Sequence, residues 1–130
     1  MKKTLKGKGE FVYDYKHDIL TFKMQNRNYK KSIEFQNFVI DIDEKNYITG
    51  IRILDASKVF KIDKYILKNI IKGQFKAEVK NKIITITLNF VSKKRNKLVN
   101  LFDTKQNYVQ QIIAPATQNI SDSRVECATT

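Results

Sequence analysis

The chain has 130 residues, 42% of them hydrophobic, and a formal net charge of +12 from 25 lysines and arginines against 13 acidic residues. This length predicts one compact domain, residues 1–130, with its own core. No apolar run approaches the about 20 residues that a membrane-spanning helix needs, and no hydrophobic signal segment follows the N-terminal lysines, so we expect a cytoplasmic protein. The single cysteine, Cys127, excludes an internal disulfide and a cysteine-based zinc site.

Alternating hydrophobic residues predict three strands in the first part of the chain. The residues on one face of these strands are Phe11, Tyr13 and Tyr15, then Leu20, Phe22 and Met24, then Ile33 and Phe35. The polar segments between them predict turns.

The stretch from Phe38 to Phe60 predicts strand, turn, strand and the start of a helix. Residues 43–46 are polar and include Asp and Asn, which favour turns. Gly50 interrupts the second of these strands and predicts a bulge or a close backbone approach. Asp55 or Ser57 is expected to cap the helix that follows.

From about residue 57 to residue 72 the hydrophobic spacing changes from two to between three and four, which predicts one amphipathic helix. Lys61, Lys64, Lys68 and Lys72 fall on its polar side. Gly73 is expected to end the helix as a left-handed cap.

The chain also contains a predicted internal repeat. Several residues between Gly9 and Thr21 recur 64 positions later, between Gly73 and Thr85. We therefore predict two related units at about residues 9–72 and 73–117, with residues 118–130 as an edge strand or loosely held tail. The predicted fold class is α+β: two tandem antiparallel β units, arranged with pseudo-two-fold symmetry, and one helix between them.

The first unit resembles a family known as domain of unknown function 2283. The residues that carry the resemblance are Tyr13, Asp14, Asp18, Ile19 and Leu20, then Asp41, Asp43, Gly50, Ile51, Ile53, Leu54, Asp55, Ala56 and Ser57. The likeness covers about residues 11–62 and implies a compact β-rich unit followed by a helix, without an established activity. Arg52 stands where the family commonly has an acid, which would reverse the charge of a contact surface, and Asn46 stands where it often has glycine.

Few residues predict chemistry. His17 is the only histidine, and its turn setting favours a solvated loop residue over an acid–base catalyst. Asp41 and Asp43 place two carboxylates on one face of a strand, but no third ligand for a metal accompanies them. We therefore predict no catalytic residue, no metal and no cofactor.

Basic residues are the stronger candidates. Between Lys64 and Lys97 there are ten basic residues and one acid. Together with the helix lysines, two repeat-related loops predict contacts to a polyanion; the loop residues are Lys30 and Lys31, and Lys93, Lys94, Arg95 and Lys97. The same lysines also fit a merely solvated surface in a lysine-rich composition.

The function predicted from the sequence is non-enzymatic binding of DNA or RNA through backbone phosphates. The alternative is a protein-interaction module, such as an antitoxin-like partner or an assembly subunit, that uses an exposed strand edge or the apolar part of the helix. Either function is compatible with a monomer or with a homodimer.

Overall fold

In a computed structural model, residues 3–94, 97–100, 108–114 and 120–129 are described. They form ten strands and two short helices. In chain order these are β1 Lys3–Asp14, β2 Ile19–Met24, β3 Tyr29–Phe35, β4 Phe38–Asp43, β5 Ile48–Leu54, α1 Ala56–Phe60, α2 Lys64–Lys68, β6 Ile70–Lys80, β7 Ile83–Lys94, β8 Lys97–Asn100, β9 Tyr108–Ile113 and β10 Ser123–Ala128.

The strands form one sheet in the order β3-β4-β5-β2-β1-β10-β6-β7-β8, with β9 also paired to β7. Strand β1 joins the two halves of this sheet. Its first part, Lys3 to Lys8, runs parallel to β10. Its second part, Gly9 to Asp14, pairs antiparallel with β2.

A cluster of phenylalanine rings fills the space between the two halves of the sheet. Phe22 on β2 contacts Phe75 on β6 edge to face, with 5.0 Å between ring centroids, and lies 5.7 Å from Phe90 on β7. Phe11 on β1 approaches Phe90 at 6.3 Å. Phe22, Phe75 and Phe90 have no solvent exposure, so the two halves share one hydrophobic core.

Two glycines allow the backbone to approach these rings. A Cβ atom at Gly9 would overlap the Phe22 ring at 2.6 Å and the Cys127 sulfur, and one at Gly73 would overlap the Phe90 ring. Neither glycine has a positive φ angle. Their role is therefore to leave space, not to make a turn.

The expected fold class is wrong. The structure is mostly β, with 67% of the described residues in strands and 9% in helices, and the single helix predicted for residues 57–72 is absent. Lys61 adopts a left-handed conformation that ends α1, and Asp63 is extended and begins α2, accepting the amide of Tyr65 at 2.7 Å. Gly73 lies inside β6 and not at a helix end. The helical spacing was produced by two separate turns of helix and the start of a strand.

The prediction of an edge strand or loose tail at the C-terminus is also wrong. Strand β10 is inserted between β1 and β6, and it pairs with both along its whole length. Val125 and Cys127 point into the core and are 0% and 2% exposed. The segment therefore joins the N-terminal strand to the second half of the sheet.

The predicted repeat remains a prediction. Hairpin β1-β2 takes β5 as a third strand, and hairpin β6-β7 takes β9 in the same way. The pairing is not equivalent by sequence, however. Phe11 pairs with Phe22, whereas the corresponding Phe75 pairs with Leu88, two positions beyond the residue that the 64-residue offset requires.

The predictions for the turn and the glycine of the first unit are confirmed. Strand β4 ends at Asp43, and Asn46 has a φ of 66°, a left-handed conformation that Asn and Gly tolerate best. This accounts for Asn46 where the family often has glycine. At Gly50 the pairing of β4 with β5 shifts register, as a bulge requires.

We expect Gly73→Ala to lower the free energy of unfolding by about 1–3 kcal/mol, because the added methyl group must displace the Phe90 ring in a filled core. Urea denaturation measures this change. The control is Gln74→Ala, at the exposed neighbouring position of the same strand. Equal stability of the two variants would contradict the packing described for Gly73.

Candidate nucleic-acid interface

Three of the residues that carry the family resemblance, Tyr13, Asp18 and Ser57, meet at a buried carboxylate. Asp18, which is 5% exposed, lies in the turn between β1 and β2 with a φ of 57°. The Tyr13 hydroxyl donates to Asp18 Oδ1 at 2.6 Å, and the Ser57 hydroxyl donates to Oδ2 at 2.6 Å. The Ser57 amide donates to Oδ1 at 3.0 Å. Asp18 therefore caps α1, a role that the sequence assigned to Asp55 or Ser57; Asp55 makes no side-chain cap bond.

The ionisation of Asp18 reflects this network. Burial opposes the charged form, but the hydrogen bonds from Ser57 and Tyr13 outweigh burial and hold the pKa of Asp18 below its usual value. Burial and the bond to Asp18 in turn raise the pKa of Tyr13. All hydrogen bonds described here tie elements of the fold together, so we interpret the motif as structural.

The paired carboxylates of β4 are both bonded to arginines. Asp43, 1% exposed, accepts from Arg27 at 2.6 Å and from the amides of Lys45 and Tyr47. Asp41 accepts from Arg52 at 2.9 Å. Asp41 therefore balances the charge of Arg52, and the reversal of charge at a contact surface stays a prediction.

His17 lies at the surface and bonds to a neighbour in its own turn. Its Nδ1 is 2.8 Å from Asp14 Oδ2, and its amide donates to Asp14 Oδ1 at 3.0 Å. Hydrogen bonds to the His17 amide and ring hold the pKa of Asp14 below its usual value. The pair stabilises the turn that carries Asp18.

The basic residues predicted on one helix face are divided among several elements. Lys64 and Lys68 lie on α2, Lys61 forms the left-handed turn after α1, and Lys72 lies on β6. The two predicted basic loops are also corrected. Lys30 and Lys31 belong to the edge strand β3 and not to a loop.

The other predicted loop is described only in part. Lys93 and Lys94 end β7 and Lys97 begins β8, while Arg95 lies outside the described residues. Strands β3 and β8 are at opposite ends of the strand order. The structure therefore does not bring the two predicted loops together as strand neighbours.

Lys64 and Lys68 contact the ring of Tyr15. Their Nζ atoms are 5.2 and 5.4 Å from its centroid, and Lys64 also donates to the Tyr15 carbonyl at 3.2 Å. These cation–π contacts attach α2 to the β1-β2 turn. Two lysines of the predicted basic helix face, Lys64 and Lys68, therefore already contact another part of the protein.

The outer face of β10, β6 and β7 presents a more continuous polar surface. One hollow is lined by Lys72, Gln74, Asn89 and Thr129, the next by Gln74, Lys76, Thr87 and Asn89, and a third by Lys76, Glu78, Thr85, Thr87 and Arg124. A fourth hollow extends from Gln74 and Lys76 to Lys6 and Glu126. Because neighbouring hollows share side chains, they form one groove, here called the basic groove.

Cations outnumber acids among the residues that line the basic groove. Lys6, Lys72, Lys76 and Arg124 line it together with Glu78 and Glu126. Glu126 lies within 4 Å of Lys6, Lys76 and Arg124, at 3.5, 3.8 and 3.2 Å. Although burial opposes ionisation, the Arg124 hydrogen bond and the nearby lysines lower the pKa of Glu126.

The sequence predictions included Lys72 but missed Lys76 and Arg124. The signal for Lys76 was present, because Lys72, Gln74, Lys76 and Glu78 alternate with the buried Phe75, Ala77 and Val79. No sequence signal placed Arg124 beside them, since it depends on β10 pairing with β6.

These features define a small, mostly β protein with a basic groove on one sheet face. A family model described as "Protein of unknown function (DUF2283)" matches residues 10–57. An uncharacterised protein of Methanocaldococcus jannaschii is 36% identical over 86 residues, which are 65% of this chain and 74% of that protein. The chain belongs to the DUF2283 family.

A second relative carries a functional name. It is a Methanosarcina mazei protein called "Putative hypoxanthine phosphoribosyltransferase", 36% identical over 91 residues, which are 70% of this chain and 74% of that protein. No solved structure matches the chain significantly. Neither of the two helices in the described residues is long and apolar enough to cross a membrane.

We expect Asp18→Asn to lower the free energy of unfolding by about 1–3 kcal/mol at pH 7, because a charged acceptor of three hydrogen bonds is replaced. The folded-state pKa of Asp18 is below 3.8, so this contribution is present above pH 3.8 and lost as the pH falls through the folded value. Denaturant unfolding of both proteins between pH 7 and pH 3 measures the difference. Asp55→Asn is the control, since Asp55 makes no cap bond. A stability difference that grows in acid would contradict this role.

Proposed function

We propose that the protein binds nucleic acid through its backbone phosphates, and that the basic groove is the binding surface. The observation that carries the proposal is the groove itself: four lysine and arginine side chains, against two glutamates, stand beside uncharged hydrogen-bonding groups along one sheet face. Phosphate oxygens accept hydrogen bonds from both kinds of group. The formal net charge of +12 adds a long-range attraction to any polyanion.

The polar groups of the groove fit backbone contacts better than base stacking. Gln74, Thr87 and Asn89 lie along its centre. Phe75 is the one aromatic residue among those that line the groove, and its ring is fully buried in the core, so no base can stack on it. The exposed tyrosines Tyr15, Tyr29 and Tyr65 belong to other surfaces. We therefore propose binding with little sequence specificity, in the cytoplasm, where nucleic acid is available.

We do not extend the name of the Methanosarcina mazei relative to this chain. Asp41 and Asp43 are the paired carboxylates of the first unit, and each is already bonded to an arginine. Carboxylates that are paired with arginines inside the fold are less suited to bind the metal ion of a metal-bound substrate.

The test is a triple variant, Lys72→Gln with Lys76→Gln and Arg124→Gln. We expect it to bind duplex DNA or structured RNA at least about tenfold more weakly at 50 mM salt, because three phosphate contacts are lost. Log affinity decreases linearly with log salt concentration, and we expect this slope to become less negative by about 3, since each lost contact removes about 0.9. Fluorescence anisotropy with labelled duplex DNA, single-stranded DNA and structured RNA measures both quantities.

The matched control is Lys16→Gln with Lys30→Gln and Lys58→Gln, three exposed lysines that do not line the groove. It removes the same charge. Equal loss in both variants would show that binding depends on net charge alone. Absence of binding by the unmodified protein at low salt would reject the proposed function.

A further inference from the structure

Strand β9 lies on the outer side of β7. Strand β8 pairs with β7 from Lys94 to Val91, and β9 pairs with it from Leu88 to Ile83, in the same direction. Within the described residues, no strand pairs with β9 on its other side. In the part of the chain that the structure describes, the outer edge of β9 from Val109 to Ile113 is therefore open to another strand.

The side chains of β9 divide between the core and the surface. Ile112 is buried, whereas Val109 and Ile113 are 55% and 77% exposed and share the outward face with Gln111. Ile83, 44% exposed, pairs directly with Ile113 and extends the apolar patch. Isolated exposed apolar residues are common, but a patch along a free strand edge marks a site of association.

The charge of β9 selects the kind of partner. Its sequence, YVQQII, contains no charged residue, whereas each of the other nine strands contains at least one. Natural sheets commonly protect an edge with lysine, and this lysine-rich chain has none there. A polyanion gains nothing from this surface. Two copies of a chain with a net charge of +12 repel each other, and an uncharged strand is where such copies can meet.

We propose that a second copy of this chain pairs with β9, strand to strand and antiparallel, about a two-fold axis at Gln111. This register places Val109 opposite Ile113 of the second copy, and Ile113 opposite Val109 of the second copy. It is self-complementary, as a two-fold interface requires. In this register the same residues, Val109 and Ile113, cover the apolar patch of the other copy in both directions.

The pairing would extend the sheet without reversing its faces, because residues paired across antiparallel strands point to the same side. The outward faces of β7 and β6 in both copies would then lie on one side of a continuous sheet. If the proposed function is correct, the dimer presents two basic grooves to one nucleic acid. The dimer itself does not depend on nucleic acid.

Sedimentation velocity of the purified full chain, free of nucleic acid and at about 300 mM salt to screen repulsion, tests the pairing. A contact between two six-residue strands is small, so we expect association to rise with protein concentration between about 10 and 500 μM. We expect Val109→Lys with Ile113→Lys to weaken association at least about tenfold. Both positions are exposed, so circular dichroism should show an unchanged fold.

The control is Val12→Lys with Ile71→Lys, which adds the same charge at exposed apolar positions of β1 and β6. It should associate nearly as the unmodified protein does. An unmodified protein that stays monomeric up to about 500 μM would overturn the proposal. Association that survives the β9 substitutions would also overturn it, because another surface would then be responsible.

A cross-linking experiment tests the register. Directly opposed antiparallel residues have Cα atoms about 4.5–5.5 Å apart, within the range that a disulfide spans. Gln111→Cys should therefore form a disulfide-linked dimer under mild oxidation. The native Cys127 is 2% exposed and does not compete. Lys23→Cys, on a strand flanked by β1 and β5, is the control, and equal cross-linking of both variants would contradict the register.

Discussion

The contact of Phe22 with Phe75 and Phe90 is the constraint on which the rest of the structure depends. These rings come from the two halves of the sheet, and they meet because Gly9 and Gly73 have no side chains at the closest approach. Burial of three phenylalanines supplies several kcal/mol of hydrophobic stabilisation. Strands β6 and β7 are then held with their polar faces outward, and the outward face becomes the basic groove.

Local patterns predicted the strands well and the connections poorly. Alternation placed Leu20, Phe22 and Met24 on one strand face, and all three are buried in the structure. The prediction of a helix from residue 57 to residue 72 was wrong because hydrophobic spacing alone does not show where the backbone adopts a left-handed conformation, as it does at Lys61. The prediction of a C-terminal edge strand or tail was wrong because the burial of β10 depends on its pairing with β1, more than 100 residues earlier in the chain.

The same distinction applies to the candidate site. Sequence reasoning found the excess of lysine and the stretch that carries most of it, but it arranged the lysines on a helix and two loops. The structure places Lys72 and Lys76 on one strand face and brings Arg124 beside Lys76 through β10. The family motif, by contrast, is explained by folding: Tyr13 and Ser57 both bond to the buried Asp18. Because these motif residues stabilise the first unit, we place the binding surface elsewhere in the chain.

The central claim is that nucleic acid contacts the outer face of β10, β6 and β7. Amide chemical shifts of the isotopically labelled protein, recorded while a short duplex is added at low salt, test this most directly. The account predicts that the largest changes occur at Lys72, Gln74, Lys76 and Arg124, with small changes at Lys30 and Lys31 on β3. Changes centred on β3, or distributed evenly over all exposed lysines, would contradict it.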